Sequence, residues 1–325
     1  MSSHLDRVRA LCQMMTSANP GDHFHALGLW IRQVEHAAVV AELPYSEGII
    51  GNPETGVVHS GPITALLDTC CGMAAVAALD ELTLCPTMDL RMDYMRPAKP
   101  GVPILARAEA YRVSSSVIFC RGSAYQEGVT EPIAHCVANF TRMDAEVAGV
   151  MSARLDPLLA SASTTLTPPA NPPKQPERIG SLPSLRDAIF VIQQQQQPEL
   201  LLATLPYAQL LGMKAFYQEG ELVLHLPTNK SNIGNPTLPA LHGGAIAGFM
   251  EMSAVVHLLM SMESVRIPRV VDFSIDYVRA GRLEDTYVSC SVVRQGNKLV
   301  NVAITAWQQD RHNPIATARA HFLVD

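Results

Sequence analysis

Residues 56–79 read GVVHSGPITALLDTCCGMAAVAAL, and residues 241–262 read LHGGAIAGFMEMSAVVHLLMSM. Between Glu54 and Asp80 the only formally charged side chain is Asp68, and between Lys230 and Glu263 it is Glu251. Each stretch is apolar around its whole circumference, the pattern of a helix wrapped by other structure on every side. An ionised carboxylate placed there without a partner is costly, so it is either paired, shifted in pKa or used. In both stretches a His-x-Gly element opens the helix and the acid follows nine residues after the His.

The two stretches belong to a longer repeat. Adding 183 to the residue number takes Pro44 to Pro227, Ile50, Gly51, Asn52 and Pro53 to Ile233, Gly234, Asn235 and Pro236, and His59 and Gly61 to His242 and Gly244. The same offset takes Asp68 to Glu251, Asp89 to Asp272, and Asp93, Tyr94 and Arg96 to Asp276, Tyr277 and Arg279. After a one-residue deletion the offset is 182, pairing Arg112 with Arg294, Gln126 with Gln308 and Phe140 with Phe322. The chain is a fused duplication, with expected domains at 1–144 and 184–325 joined by a linker at 145–183.

Within a copy, Leu5, Val8, Leu11, Cys12 and Met15 have helical spacing, which predicts a short helix over 4–17. Residues 28–43 alternate and predict one or two strands, and four further strands are predicted near 85–95, 103–113, 116–127 and 132–142. Pro62 is tolerated because it falls in the first helical turn. LTPPANPPKQP, from Leu166, builds neither helix nor central strand, so the whole of 145–183 is expected to be extended. QQQQQ at 193–197 sits in a helical pattern beginning near Ser184 and reads as a solvated face.

The 325 residues suit two domains of ordinary size, and 48% apolar content fills two cores. A net charge of -6 with no Lys/Arg cluster argues against a nucleic-acid partner. Asp68 at the middle of its apolar run, and the same arrangement in the second copy, argue against a membrane span. The polar N-terminus lacks the apolar run of a secretory signal, so a soluble cytoplasmic protein is expected. The seven Cys lack metal-ligand spacing, and Cys70 and Cys71 read as small core residues, so neither zinc nor a disulfide framework is expected.

The Asn-Pro loop, His-Gly-Gly at 242–244 (His-Ser-Gly at 59–61), the acid nine residues later, and the strands TMDLRMDYMRPA and VVDFSIDYVRAG resemble the PaaI-like thioesterases of the hotdog fold. The resemblance covers both copies, about 260 of the 325 residues. It implies an α+β chain of two hotdog domains, each a long helix wrapped by a curled antiparallel sheet, forming an intrachain pseudo-dimer. It also implies hydrolysis of acyl-coenzyme A thioesters without metal or redox cofactor, coenzyme A being part of the substrate, and self-association into a homo-oligomer.

These residues suit that chemistry. The first N–H groups of a helix lack partners and lie at the positive end of its dipole, so a helix beginning at Gly243 offers an oxyanion site. A nearby carboxylate can act as general base on water or attack the carbonyl itself. Gly243 and Glu251 are about 12 Å apart along one helix, so the acid must come from the other copy. Two composite sites follow if the helices run antiparallel. Site one combines Asp68 with Asn235, His242 and Gly243, and the resemblance adds Thr87 to orient the water. Site two combines Glu251 with Asn52, His59 and Ser60, and departs from the pattern at Ser60 and at Val270, which replaces the hydroxyl. Site one is expected to be active and site two weak, altered or vacant.

Other readings stay open. Asp68 could be a hydrogen-bonded core acid, His59 and His242 could only start their helices, and Asn52 and Asn235 could be turn residues. A non-catalytic acyl-CoA or acyl-ligand binding protein, or a hydratase or dehydratase with a His proton shuttle, would use the same fold.

Overall fold

The computed structural model describes residues 3–17, 21–160, 162–170, 185–235, 240–262 and 266–324. The first copy runs α1 (His4–Ser17), α2 (His23–Leu27), β1 (Trp30–Glu35), β2 (Ala38–Leu43), β3 (Ile50–Asn52), β4 (Val57–Val58) and the long α3 (Ser60–Ala77). It continues through β5 (Thr87–Tyr94), β6 (Ile104–Val113), β7 (Val117–Tyr125) and β8 (Ala134–Thr141), and is followed by α4 (Ala145–Leu159). The second copy begins with α5 (Leu185–Gln195), α6 (Pro198–Leu202) and α7 (Pro206–Leu211). It then repeats the plan as β9 (Lys214–Gln218), β10 (Glu221–Leu226), β11 (Ile233–Asn235), β12 (Ala240–Leu241), α8 (Gly243–Ser261), β13 (Arg269–Tyr277), β14 (Thr286–Gln295), β15 (Leu299–Trp307) and β16 (Ala316–Leu323).

Twelve of these strands make one sheet in the order β1-β2-β6-β7-β8-β5-β13-β16-β15-β14-β10-β9. The second half mirrors the first, and the halves join where β5 pairs antiparallel with β13, Met92 opposite Phe273 and Leu90 opposite Ile275. One edge strand of each copy thereby becomes an interior strand, which removes two exposed edges. Period-2 alternation turns Leu90, Met92, Phe273 and Ile275 inward, where all four are buried.

Sheet and partner helix together bury α3 and α8 around their whole circumference. In α3 only Ser60 and Gly72 are not buried. Both helices are long and apolar enough to cross a membrane by length and composition, and 89% of each such window is buried within the protein. Their crossing is set by glycine. A Cβ added to Gly61 would stand 2.8 Å from Gly248 Cα, and one added to Gly244 would stand 2.5 Å from Ala65 Cα. Real Cβ atoms do not approach that closely, so the backbones touch here because no side chain intervenes. The contacts fall as residue numbers rise on one helix and fall on the other, so the helices run antiparallel about a pseudo-twofold axis.

Two expectations need correction. Residues 145–159 are not extended linker but the helix α4, whose Ala, Leu and Met favour helix and which contains Pro157 only near its end. The proline-rich run begins later, and 171–184 lie outside the described residues. Nor are all five glutamines solvated: Gln193 donates to the carbonyls of Leu259 (2.5 Å) and Met262 (3.1 Å), covering the C-terminal end of α8. The following four glutamines are exposed. Cys70 and Cys71 are buried core thiols, as the composition of their helix suggested.

Candidate active site

The antiparallel crossing carries the acid of each helix to the beginning of the other. Both helices start at a His in extended conformation whose Nδ1 accepts a backbone N–H two residues on, His59 from Gly61 and His242 from Gly244, each at 2.9 Å. These side chains are N-caps, satisfying one orphan donor of the first turn. An Nδ1 that accepts leaves the ring proton on Nε2.

At site one Thr87 Oγ1 donates to Asp68 Oδ1 at 2.8 Å. The β-bulge between Thr87 and Asp89 in the pairing of β5 with β8 sets that hydroxyl's direction. Asp68 Oδ2 lies 2.9 Å from where a Cβ on Gly243 would sit, so any side chain at 243 would strike the carboxyl. His242 Nδ1 is 3.7 Å from the same oxygen. Because that nitrogen already accepts from Gly244, this contact is neither an ion pair nor a hydrogen bond. His242 Nε2 meets Thr69 Oγ1 at 3.2 Å. Both ring nitrogens are therefore occupied, whereas Oδ2 of Asp68 and the N–H of Gly243 have no hydrogen-bond partner among the described residues. Tyr277 O–H donates to the Gly243 carbonyl at 2.7 Å, fixing the first turn of α8 from β13. Asp68 is 4% exposed, so this carboxyl is nearly enclosed.

Site two holds its acid differently. Thr64 Oγ1 lies 2.6 Å from Glu251 Oε1 and 2.6 Å from Tyr94 Oη, and Tyr94 Oη lies 3.1 Å from Glu251 Oε2. A protonated Glu251 closes this into a ring in which each hydroxyl donates once: Glu251 to Tyr94, Tyr94 to Thr64, Thr64 to Glu251. Burial pushes the Glu251 carboxyl up to about 7, against the opposing pull of the Ser60, Thr64 and Tyr94 hydroxyls. Burial likewise raises Tyr94 and Tyr277 far above the ordinary phenol range, with the neighbouring carboxyls adding to it, so both remain donors. His59 stacks on Tyr207 at 5.0 Å and is pushed down to about 3 by burial, so its ring is neutral. Its Nε2 and the Tyr207 hydroxyl have no partner among the described residues. At site one the corresponding aromatic is His23, 5.5 Å from His242 and also pushed down to about 3 by burial.

Asp68, Thr87, His242 and Gly243 thus come together, as do Glu251, His59 and Ser60. Asn52 is a turn residue, its Oδ1 accepting the N–H groups of Glu54 (3.0 Å) and Thr55 (3.3 Å), although it also lines a cavity beside Ser60. Asn235 ends β11, and its side chain lies outside the described residues. Sequence reasoning missed Thr64, Thr69, Tyr94 and Tyr277. The repeated Asp-Tyr-x-Arg marked the two tyrosines as equivalent without assigning them a task. Among the described residues no cluster of His, Cys, Asp or Glu could hold a metal ion.

The thioesterase superfamily model matches residues 55–133 and 238–315, one match per copy. The medium/long-chain acyl-CoA thioesterase YigI of Escherichia coli is 29% identical over 140 residues, 39% of this chain and 90% of that protein. A solved protein of Pseudomonas aeruginosa is 46% identical, covering 43% of this chain and 99% of its own, with a TM-score of 0.37. A protein with a hot dog fold from Alicyclobacillus acidocaldarius covers 93% of this chain and 97% of its own at 14% identity, with a TM-score of 0.56, a likeness of fold. The chain belongs to the thioesterase superfamily and carries two of its hotdog domains in tandem.

Proposed function

We propose that the chain hydrolyses acyl-CoA thioesters to the free acid and coenzyme A, and that site one performs the reaction. The observation that carries this reading is the approach of Asp68 Oδ2 to Gly243 at the start of the opposite helix. A thioester carbonyl set against the Gly243 N–H has its developing negative charge stabilised by that donor and by the positive end of α8. Asp68, as carboxylate, receives a proton from water on Oδ2 while Thr87 holds Oδ1. The water oxygen bonds to the carbonyl carbon, the C–S bond then breaks, and the proton on Asp68 passes to the departing thiolate. Attack by Asp68 itself on the carbonyl would use the same geometry.

His242 supports this chemistry by position. Its Nδ1 is committed to the backbone and its Nε2 to Thr69, so the ring orients the first turn rather than shuttling protons. That argues against a hydratase or dehydratase. The name of the Escherichia coli relative points to medium or long acyl chains, which we adopt as the substrate class. Thiol release from a panel of acyl-CoA esters tests the reading. Turnover in the parent that falls by about 10³ in Asp68→Asn is expected, within the range of a lost general base. A well-folded parent with no turnover on any ester would overturn it.

A further inference from the structure

Among the described residues a cavity of about 420 Å³ opens at site two, on the seam between the copies. It is lined by Ser60 and Tyr94, by the apolar Ile63, Val255 and Val270, and by Arg269. The size and the mixture of apolar wall with a few polar groups are those of a small-molecule site. Arg269 is exposed and has no ion-pair partner among the described residues. The acid of site two is not part of this wall. Glu251 is fully buried, and Tyr94 presents itself to the cavity while its hydroxyl bonds to the carboxyl behind it. Water in the cavity therefore meets no free carboxyl oxygen, and the hydroxyl that Thr87 supplies at site one is replaced by Val270.

We infer that site two binds an acyl thioester of coenzyme A without hydrolysing it, as a second, storage-like or regulatory ligand site on the same chain. This rests on the acyl-CoA reading above. The cavity retains the start of α3 for the thioester carbonyl, an apolar wall for the acyl chain, and the exposed Arg269 guanidinium for a phosphate of the headgroup. What it has lost are the groups that activate water. Val270 and Tyr277 stand at opposite ends of β13, seven residues or about 23 Å apart, so filling the cavity at Val270 does not touch site one.

Calorimetric titration of the full chain with S-octyl-coenzyme A, a thioether that cannot be hydrolysed, tests the inference. Two equivalents are expected to bind the parent. Val270→Trp is expected to bind one, and Arg269→Glu, a surface change that leaves packing intact, to weaken one of the two at least tenfold. Thiol release should stay within twofold of the parent in both variants. One equivalent bound by the parent, unchanged in both variants, would overturn the inference. So would octanoate or coenzyme A alone filling the Val270-dependent site as tightly as the thioether. A parent that binds the thioether at that site yet hydrolyses no ester would refute the hydrolase reading while supporting this one.

Discussion

Asp68 and Glu251 occupy equivalent places in a duplicated framework, each nine residues after a helix-capping His and each carried by the antiparallel crossing to the start of the opposite helix. One methylene and two neighbours separate their environments. Asp68 has Ala247 where Glu251 has Thr64, and its equivalent tyrosine bonds to the Gly243 carbonyl instead of the acid. The shorter acid keeps one oxygen open beside Gly243; the longer one is enclosed by two hydroxyls and stays neutral up to about pH 7. Duplication preserved the scaffold of both sites, and a few side chains decided which retained a carboxyl oxygen without a hydrogen-bond partner among the described residues.

That contrast can be broken from either side. Short of removing Asp68 itself, the largest effect is expected from Gly243→Val, which pushes a side chain against Asp68 Oδ2 and blocks the carbonyl's approach. Thiol release should fall at least 100-fold, as for removal of an oxyanion-hole donor, whereas Ser60→Val, the same obstruction at site two, should change it less than twofold. Comparable losses in both variants would mean that both sites turn over. Thr87→Val gives site one the residue that site two has at 270 and should lower kcat about tenfold, the scale of one lost charge-assisted hydrogen bond. An unchanged kcat would remove Thr87 from the machinery.

The third effect is on stability. Glu251 has a folded pKa of about 7 against an ordinary value of 4.5, so between these pH values the folded chain holds a proton that the unfolded chain has released. Its contribution is complete below pH 4.5 and is lost as pH rises through 7. Glu251→Gln removes this dependence, so its stability relative to the parent should grow by about 3 kcal/mol from acid to about pH 8. Chemical denaturation across that range measures it, and parallel curves would show that Glu251 is not held neutral.

Much of this architecture was legible in the residues. A constant offset exposed the duplication, all-round apolar runs marked the two central helices, and the 12 Å reach of helix between Gly243 and Glu251 required acids to be exchanged between copies. The enclosure of Glu251 was not legible, because Thr64 and Tyr94 are distant in sequence from it and converge only when β5 packs on the crossed helices. Thr87 was reached through family resemblance alone; its aim depends on a bulge that local pattern does not reveal. Residues 145–159 were misread because the prolines that follow coloured the whole segment, although their own composition favours helix.

One carboxyl of the pair, that of Asp68, is proposed to carry the reaction. The most direct test is kcat for Asp68→Asn and Glu251→Gln, measured side by side on the preferred acyl-CoA. Near-complete loss in the first with at least half of the parent's kcat retained in the second is the result predicted here. A loss of about half in each, or loss in Glu251→Gln alone, would contradict it.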